Sequence, residues 1–298
     1  MFGITTPATT VSRPLSGSNV ALVAVLLLFD SLHFVFAKLL HAYISPAVSV
    51  FYVLGISTVE VALFTLAQRR LHLGALKQHF WFFLAIGFLI AASTNINYEA
   101  VAYLDPGTAS LLAQTSILFG LGFGVLWLRD KLTRKQVGGA LLAALGVFVI
   151  SFQPGDYLHL GSLMVVSSAL MYALHAALTK RHGGEMDFLD FFFGRLLFTT
   201  AVLFCFSAAR GALLWPTVPA WGLLILVGTV DVALSRTLYY IALRRLTMSM
   251  HTIILTLTPI LAVLWSLLFF DVTPTVAQLA GGAAIIAGVL VVTKESRK

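Results

Sequence analysis

The chain has 298 residues, is 59% hydrophobic and only 10% charged, and carries a formal net charge of +7 with mean hydropathy +0.95. Soluble domains carry about 25% charged residues, so this chain has too little polar surface to coat a globule, and its solvent is lipid. The basic balance would suggest nucleic acid in a soluble protein, but the position of the charges assigns it to topology below; the single cysteine, Cys205, excludes an intrachain disulfide and reads as packing.

Residues 1–18, rich in Ser, Thr and Pro with one charge at Arg13, read as a disordered tail. The apolar segment that follows is too long for a signal-peptide core and is expected to stay as a span. A span needs about 20 apolar residues. Span 1 (19–40) sets Asp30, His33 and Ala37 at i, i+3, i+7 on one face. Span 2 (46–67) opens after Ser45-Pro46 and carries Glu60. Span 3 (80–102) offers Asn95, Tyr98 and Glu99, and span 4 (107–128), after Asp105-Pro106-Gly107, offers Gln114. Gly120, Gly122 and Gly124 imitate a nucleotide fingerprint, but they lie inside an apolar helix and so read as packing or flexibility. Span 5 (135–152) is rich in small residues from Gly138 to Gly146. Span 6 (161–180) aligns Ser168, Tyr172, His175 and Thr179, and span 7 (189–209) holds Arg195. Span 8 (219–242) sets Asp231, Ser235 and Tyr239 at i, i+4, i+8, with Arg236 beside them. Span 9 (248–270) carries His251, Thr256 and, midway, Pro259; span 10 (275–293) repeats the small residues of span 5 from Ala280 to Gly288. The expectation is an all-α polytopic membrane protein with ten transmembrane helices in one membrane domain.

Reading position n against n+142 pairs His33 with His175, Lys38 with Lys180, Ser93 with Ser235 and Tyr98 with Tyr240. It also pairs Thr133 with Thr275, Gln136 with Gln278, Gly139 with Gly281 and Gly146 with Gly288. One offset held from the first apolar segment to the last marks a duplication. Repeat 1 covers 19–152 and repeat 2 covers 161–293; five spans each forces the second copy into the bilayer upside down, a pattern found in many secondary transporters. With the N-terminus cytoplasmic, 15 of the 19 Lys and Arg fall on the inner side and only Lys38 and Arg210 fall outside. That is a positive-inside signal placing both termini in the cytoplasm.

The small residues of spans 5 and 10 let backbones approach, which is how helices gain contact in lipid. Proline removes a helix hydrogen bond, so Pro259 is either a hinge or a static kink; its repeat mate is Ile117, which makes any kink asymmetric. Polar groups inside a membrane are expensive unless paired or wetted. Asp30, His33, Asn95, Tyr98, Gln114, Tyr172, His175, Asp231, Ser235, Arg236 and Tyr239 are therefore the candidates for binding substrate or lining its path, around a midplane cavity. Each has a structural alternative: a hydrogen-bonded buried acid for Asp30 and Asp231, a helix-to-helix hydrogen bond for the histidines, snorkelling for Arg195 and Arg236. Glu60, Glu99 and His251 read as interfacial, and Trp127 and Trp265 as packing or anchoring. There is no metal-ligand cluster, no G-x-x-x-x-G-K-[ST], no His-Glu-x-x-His and no Gly-x-Ser-x-Gly. No metal, cofactor or enzymatic activity is expected, and a channel is disfavoured because nothing resembles a filter loop.

Lys38 and Lys180 close spans 1 and 6, and segments 98–104 and 240–246 lead into spans 4 and 9. A short charged loop and then residues 132–140 or 274–282 follow each of those spans. This whole-chain pattern, over residues 19–293, resembles the EamA-type members of the drug/metabolite transporter superfamily. It departs from them at Arg129-Asp130, at Phe270-Asp271 and at the unmatched Pro259. The resemblance implies a bacterial inner-membrane exporter of small metabolites, similar to the amino-acid exporters of that group, including those for aromatic amino acids. A zwitterion needs a donor for its carboxylate, an acceptor for its ammonium and a place for its side chain. Arg236 or the histidines supply the first, Asp30 or Asp231 the second, and Tyr98, Tyr172 and Tyr239 an apolar wall. The expected partners are a small molecule and the bilayer, without nucleic acid; a monomer suffices.

Overall fold

The structure, a computed structural model, describes residues 17–69, 73–128, 133–151, 159–182, 186–211, 213–245, 255 and 257–295. Residues 1–16 of the expected tail, Arg129-Asp130, His251 and Thr256 lie outside these residues, while the last two of the tail, Gly17 and Ser18, begin a helix. Among the described residues all regular structure is helical. The first half comprises α1 (Gly17–Asp30), α2 (His33–His41), α3 (Pro46–Ala67), α4 (Leu73–Gln78), α5 (Phe80–Ala100), α6 (Pro106–Ala113), α7 (Thr115–Leu128) and α8 (Arg134–Ser151). The second comprises α9 (Leu160–His182), α10 (Phe188–Ala209), α11 (Val218–Val227), a π-helical turn (Gly228–Leu234), α12 (Ser235–Arg245), α13 (Thr258–Phe270) and α14 (Val276–Glu295). Among the described residues six stretches are long and apolar enough to cross a membrane: Ala21–His41, Val48–Ala67, Phe80–Ala100, Leu160–Thr179, Phe188–Ala209 and Val218–Tyr239. Val137–Ile150, Thr258–Phe270 and Val276–Val291 are shorter apolar helices.

Among the described residues three expected helices are interrupted. Span 1 lapses at Ser31–Leu32, so Asp30 ends one helix and His33 begins the next. The Ser31 hydroxyl donates back to the Leu28 carbonyl at 2.9 Å and accepts from Trp265 Nε1 at 2.8 Å. Span 4 lapses at Gln114, between α6 and α7. Span 8 passes through the π-helical turn, which begins at Gly228, whose carbonyl accepts from Ser57 Oγ of α3 at 2.8 Å. Such turns insert one residue into an α-helix and are frequent at functional sites. Pro259, expected midway along a span, instead lies in the first turn of α13, where its missing N–H breaks no helical hydrogen bond. Gly120 and Gly122 have no side chain or backbone within 4 Å of the position a Cβ would take, which rules out close packing as their purpose.

The two halves meet through contacts that map onto themselves when the repeats are exchanged. A methyl group on Gly146 of α8 would lie 2.5 Å from the Gly281 carbonyl of α14, and one on Gly281 would lie 2.7 Å from the Gly146 carbonyl. A methyl on Gly288 would collide with the Gly139 carbonyl in the same way. Gly139 and Gly146 are the repeat mates of Gly281 and Gly288, so both contacts are one contact seen twice. Thr58 of α3 and Thr200 of α10, also repeat mates, share a hydrogen bond of 2.8 Å. Contacts of residues with their own equivalents are the mark of a two-fold relation.

That relation also pairs two interfaces, α5 against α9 and the π turn with α12 against α1 and α2. The first is closed by reciprocal hydrogen bonds: Ser168 Oγ to the Ser93 carbonyl at 2.9 Å, Ser93 Oγ to the Ser168 carbonyl at 3.1 Å, and 2.8 Å between hydroxyls. On the second, Ser93 becomes Ser235 but Ser168 becomes Leu26. Ser235 Oγ is accordingly buried with no hydrogen-bond partner among the described residues. Repeat mates should therefore respond oppositely to the same change. Ser93→Ala is expected to cost about 1 kcal/mol, whereas Ser235→Ala, which removes an unsatisfied hydroxyl, leaves the melting temperature in detergent unchanged or raised. Equal losses at both positions would show that the asymmetry has no energetic weight.

Candidate functional site

The second interface carries charge where the first carries serines. Arg236 Nη1 of α12 donates to Asp30 Oδ1 at the end of α1 at 3.1 Å, and Thr258 Oγ1 at the start of α13 donates to Asp30 Oδ2 at 3.3 Å. His33 Nδ1 at the start of α2 meets Asp231 Oδ2 of the π turn at 2.8 Å. Both links join repeat 1 to repeat 2. Their arrangement depends on the two helix irregularities. The lapse at Ser31–Leu32 lets Asp30 and His33 come from different helices. The π turn puts Asp231 and Arg236, five residues apart, on the face toward them, where a regular helix would favour three or four. In repeat-mate terms, Asp30 and His33 become Tyr172 and His175, while Asp231 and Arg236 become Leu89 and Thr94. The ion pairs thus exist on one side of the two-fold only.

Aromatic groups close around these pairs. The rings of His33 and Tyr98 meet edge to face with centroids 5.8 Å apart, and those of Tyr172 and His175 lie 5.4 Å apart. Arg236 interacts electrostatically with Asp30, Tyr172, Asp231 and Tyr239, and Tyr98 interacts with Asp231 and Arg236. The cluster is withdrawn from the surface: Asp231 is 1% exposed, Tyr98 1% and His175 4%. Asp30 and Arg236 keep side-chain exposures of 16% and 17%. Among the described residues, Asp231 Oδ1, the Tyr98 hydroxyl, Asn95 Oδ1 and both ring nitrogens of His175 have no hydrogen-bond partner. Buried polar groups are nearly always paired, so this concentration of open hydrogen-bonding capacity in one place is a property of the site.

Of the residues singled out from sequence, Asp30, His33, Tyr98, Tyr172, His175, Asp231, Arg236 and Tyr239 come together here. Asn95 is buried one turn before Tyr98 on α5, and Ser235 lies beside Arg236. Gln114 is half-buried at the α6–α7 interruption, and no contact ties it to the cluster. Arg236 does not snorkel; it is held by Asp30, because a carboxylate in reach is a better partner than a distant interface. Glu60 accepts from Thr229 Oγ1 of the π turn at 2.6 Å, so it takes part in an inter-helix link rather than lying free at an interface. Lys38 donates from Nζ to the Val101 carbonyl, tying α2 to the end of α5.

Two contributors were not singled out as site residues: Thr258 holds the second oxygen of Asp30, and Ser31 is bound by Trp265. Away from the cluster, Asp105 caps α6. Asp105 Oδ1 accepts from Thr108 N at 2.9 Å and Oδ2 from Gln278 Nε2 at 3.3 Å. The signal for Asp105 was the Asp-Pro-Gly run, a helix start with an N-cap; Thr258 had only its place beside Pro259. A separate cleft of about 280 Å³ between α6, α13 and α14 is lined by Pro259, Val263, Leu279 and Ile286 with Asp105 and Gln278.

Residues 17–152 and again 159–294 match the EamA-like transporter family. An uncharacterized transporter, YdfC, of Bacillus subtilis is 25% identical over 65% of this chain and 64% of its own. A probable terminal-alkyne amino-acid exporter of Streptantibioticus cattleyicolor is 24% identical over 65% of this chain and 66% of its own. The chain therefore spans just under two thirds of each of these curated relatives. A solved crystal structure, 20% identical, superposes with a TM-score of 0.67 over 96% of this chain and all of that one, which establishes likeness of fold. The family and these relatives are transporters, not enzymes. The unit that matches twice in sequence is the unit that the two-fold contacts relate in space, and the chain, a multi-pass membrane protein, belongs to the EamA-like transporter family.

Proposed function

We propose that this protein is a carrier for zwitterionic amino acids, aromatic ones among them, exporting them across the bacterial inner membrane by alternating access. The observation that carries the reading is the pair of inter-repeat links, Asp30 to Arg236 and His33 to Asp231. Five residues along a helix span about 7 Å, a separation across which an ammonium and a carboxylate one carbon apart reach one partner each. The substrate carboxylate exchanges with Asp30 for Arg236, and its ammonium takes the open Oδ1 of Asp231. Loading thus loosens contacts between the repeats, the step a rocking carrier requires. The relative described as an amino-acid exporter supports the same substrate class.

Binding to purified protein tests this directly. Phenylalanine amide and N-acetylphenylalanine each keep the side chain but lose one charge. Each is expected to compete at least about 30-fold more weakly than phenylalanine, the loss that follows from leaving one member of a charge pair unmet. If either analogue competes as well as the amino acid, the two-point reading of the zwitterion fails.

The topology of the proposal is ten spans in two inverted five-span repeats, 19–152 and 161–293, with both ends cytoplasmic and a short tail before the first span. The segments interrupted at Ser31–Leu32 and Gln114 count as one span each. The positive-inside distribution supports it, and the two-fold contacts support the repeat relation. Fusions of alkaline phosphatase after Ala42 and Trp215 should be active, and those after Gln78 and at the C-terminus inactive. An active C-terminal fusion would overturn the even number of spans. The monomer contains both repeats and the whole cluster, so no second copy is needed for transport. Pro259 keeps its proposed role as the point where α13 moves, now as the start of a helix that carries Thr258 onto Asp30.

A further inference from the structure

His33 and His175 are repeat mates, yet their surroundings differ. His33 has Asp231 at 2.8 Å, while the position equivalent to Asp231 on the other side is Leu89. His175 is left 4% exposed, with both Nδ1 and Nε2 lacking a hydrogen-bond partner among the described residues. The Tyr172 carbonyl, one turn earlier, faces the ring without reaching hydrogen-bond geometry. One turn further along α9, Thr179 Oγ1 is also buried and unpartnered. This is unusual within the molecule. The hydroxyls of Thr58, Thr65, Thr199 and Thr237 all donate to the carbonyl four residues before them, which is how a threonine satisfies itself in an apolar helix. His175 and Thr179 therefore form a short polar strip on α9 that no described residue satisfies.

The strip adjoins the charge cluster. Tyr172 packs on the His175 ring; His175 interacts electrostatically with Arg195 and, more weakly, with Arg236, which also interacts with Tyr172. A substrate whose carboxylate sits on Arg236 directs its side chain along this wall or away from it. A neutral imidazole offers one N–H donor and one lone pair, and a threonine hydroxyl offers both as well. The group complementary to such a strip is one that both donates and accepts: a hydroxyl or a carboxamide. A hydrocarbon side chain would leave all these atoms unpaired in the bound state, at the cost that buried unsatisfied groups always carry.

We infer that His175, with Thr179, is a specificity-determining site that reads a hydrogen-bonding group on the substrate side chain, so that hydroxyl- or amide-bearing amino acids are favoured over hydrocarbon analogues of the same shape. The inference rests on the amino-acid reading above and adds to it the chemistry of the side chain. Tyrosine and phenylalanine differ by the one group in question. In proteoliposomes the wild-type protein is expected to favour tyrosine over phenylalanine by about tenfold or more in kcat/KM, since sites built to bond a substrate hydroxyl discriminate against analogues lacking it. His175→Leu brings that ratio towards one, and His175→Gln, which keeps a donor and an acceptor, retains part of it. The wild-type ratio needs no variant, so the inference remains open to refutation even if His175→Leu fails to fold. Equal handling of the two amino acids by wild type, or a ratio that His175→Leu leaves intact, overturns the side-chain inference while leaving the carrier standing. Absence of transport for every amino acid overturns both.

Discussion

Arg236→Ala is expected to reduce amino-acid transport by about two orders of magnitude, the usual consequence of truncating one member of a desolvated charge pair. The loss has two parts. Asp30 remains at the end of α1 with Thr258 as its only other hydrogen-bond donor among the described residues, and the substrate carboxylate loses its cation. A charge exchange separates them. Asp30→Arg with Arg236→Asp restores an ion pair between α1 and α12 but inverts the field that the zwitterion meets. The double variant should regain most of the thermal stability lost by either single change and should still fail to transport. Stability is read from melting in detergent and function from uptake. Recovery of transport in the exchanged protein would mean that the pair serves only to hold helices together.

Gly281→Val should prevent assembly altogether. A single Cβ would already lie 2.7 Å from both the Gly146 carbonyl and Ile150 Cγ1, and the two further methyls of valine add to that crowding. Forcing bulk into such a contact costs about 3 kcal/mol or more, a large share of the 5–15 kcal/mol by which proteins are typically stable. The expected result is loss of the monodisperse species on size-exclusion chromatography. Gly138→Ala on α8 is the control: nothing lies within 4 Å of its Cβ position, so the change is neutral or stabilising by up to about 1 kcal/mol, the intrinsic helix preference of alanine over glycine. If Gly281→Val is as well behaved as Gly138→Ala, the α8–α14 contact is not the joint between the repeats.

The sequence disclosed the repeat because duplicated residues keep their identities at a fixed offset, and Gly139, Gly146, Gly281 and Gly288 meet in space as that offset implies. It also disclosed which polar residues to watch, since an apolar chain has few and each must be accounted for. Their pairing was not legible. Helical spacing put Asp231 with Ser235 and Tyr239, whereas the π turn advances the register so that Asp231 and Arg236 both face α1 and α2. Nothing local in Gly228–Leu234 announces that turn; it is associated with a hydroxyl from Ser57, 171 residues away in the chain. The lapse at Ser31–Leu32 is of the same kind, fixed partly by Trp265 from the other repeat. Pro259 misled in the opposite direction. Proline reads as a kink within a span but is equally suited to a helix start, and the start of α13 at Thr258 gives it that second place.

The most direct test of the carrier reading is counterflow in proteoliposomes loaded with unlabelled tyrosine or phenylalanine, with the same labelled amino acid added outside at trace concentration. A carrier that reorients around its bound substrate accumulates label transiently above the equilibrium level, saturably, and Arg236→Ala abolishes that overshoot. Label that never exceeds its equilibrium level, at any internal concentration and for either amino acid, would contradict the account.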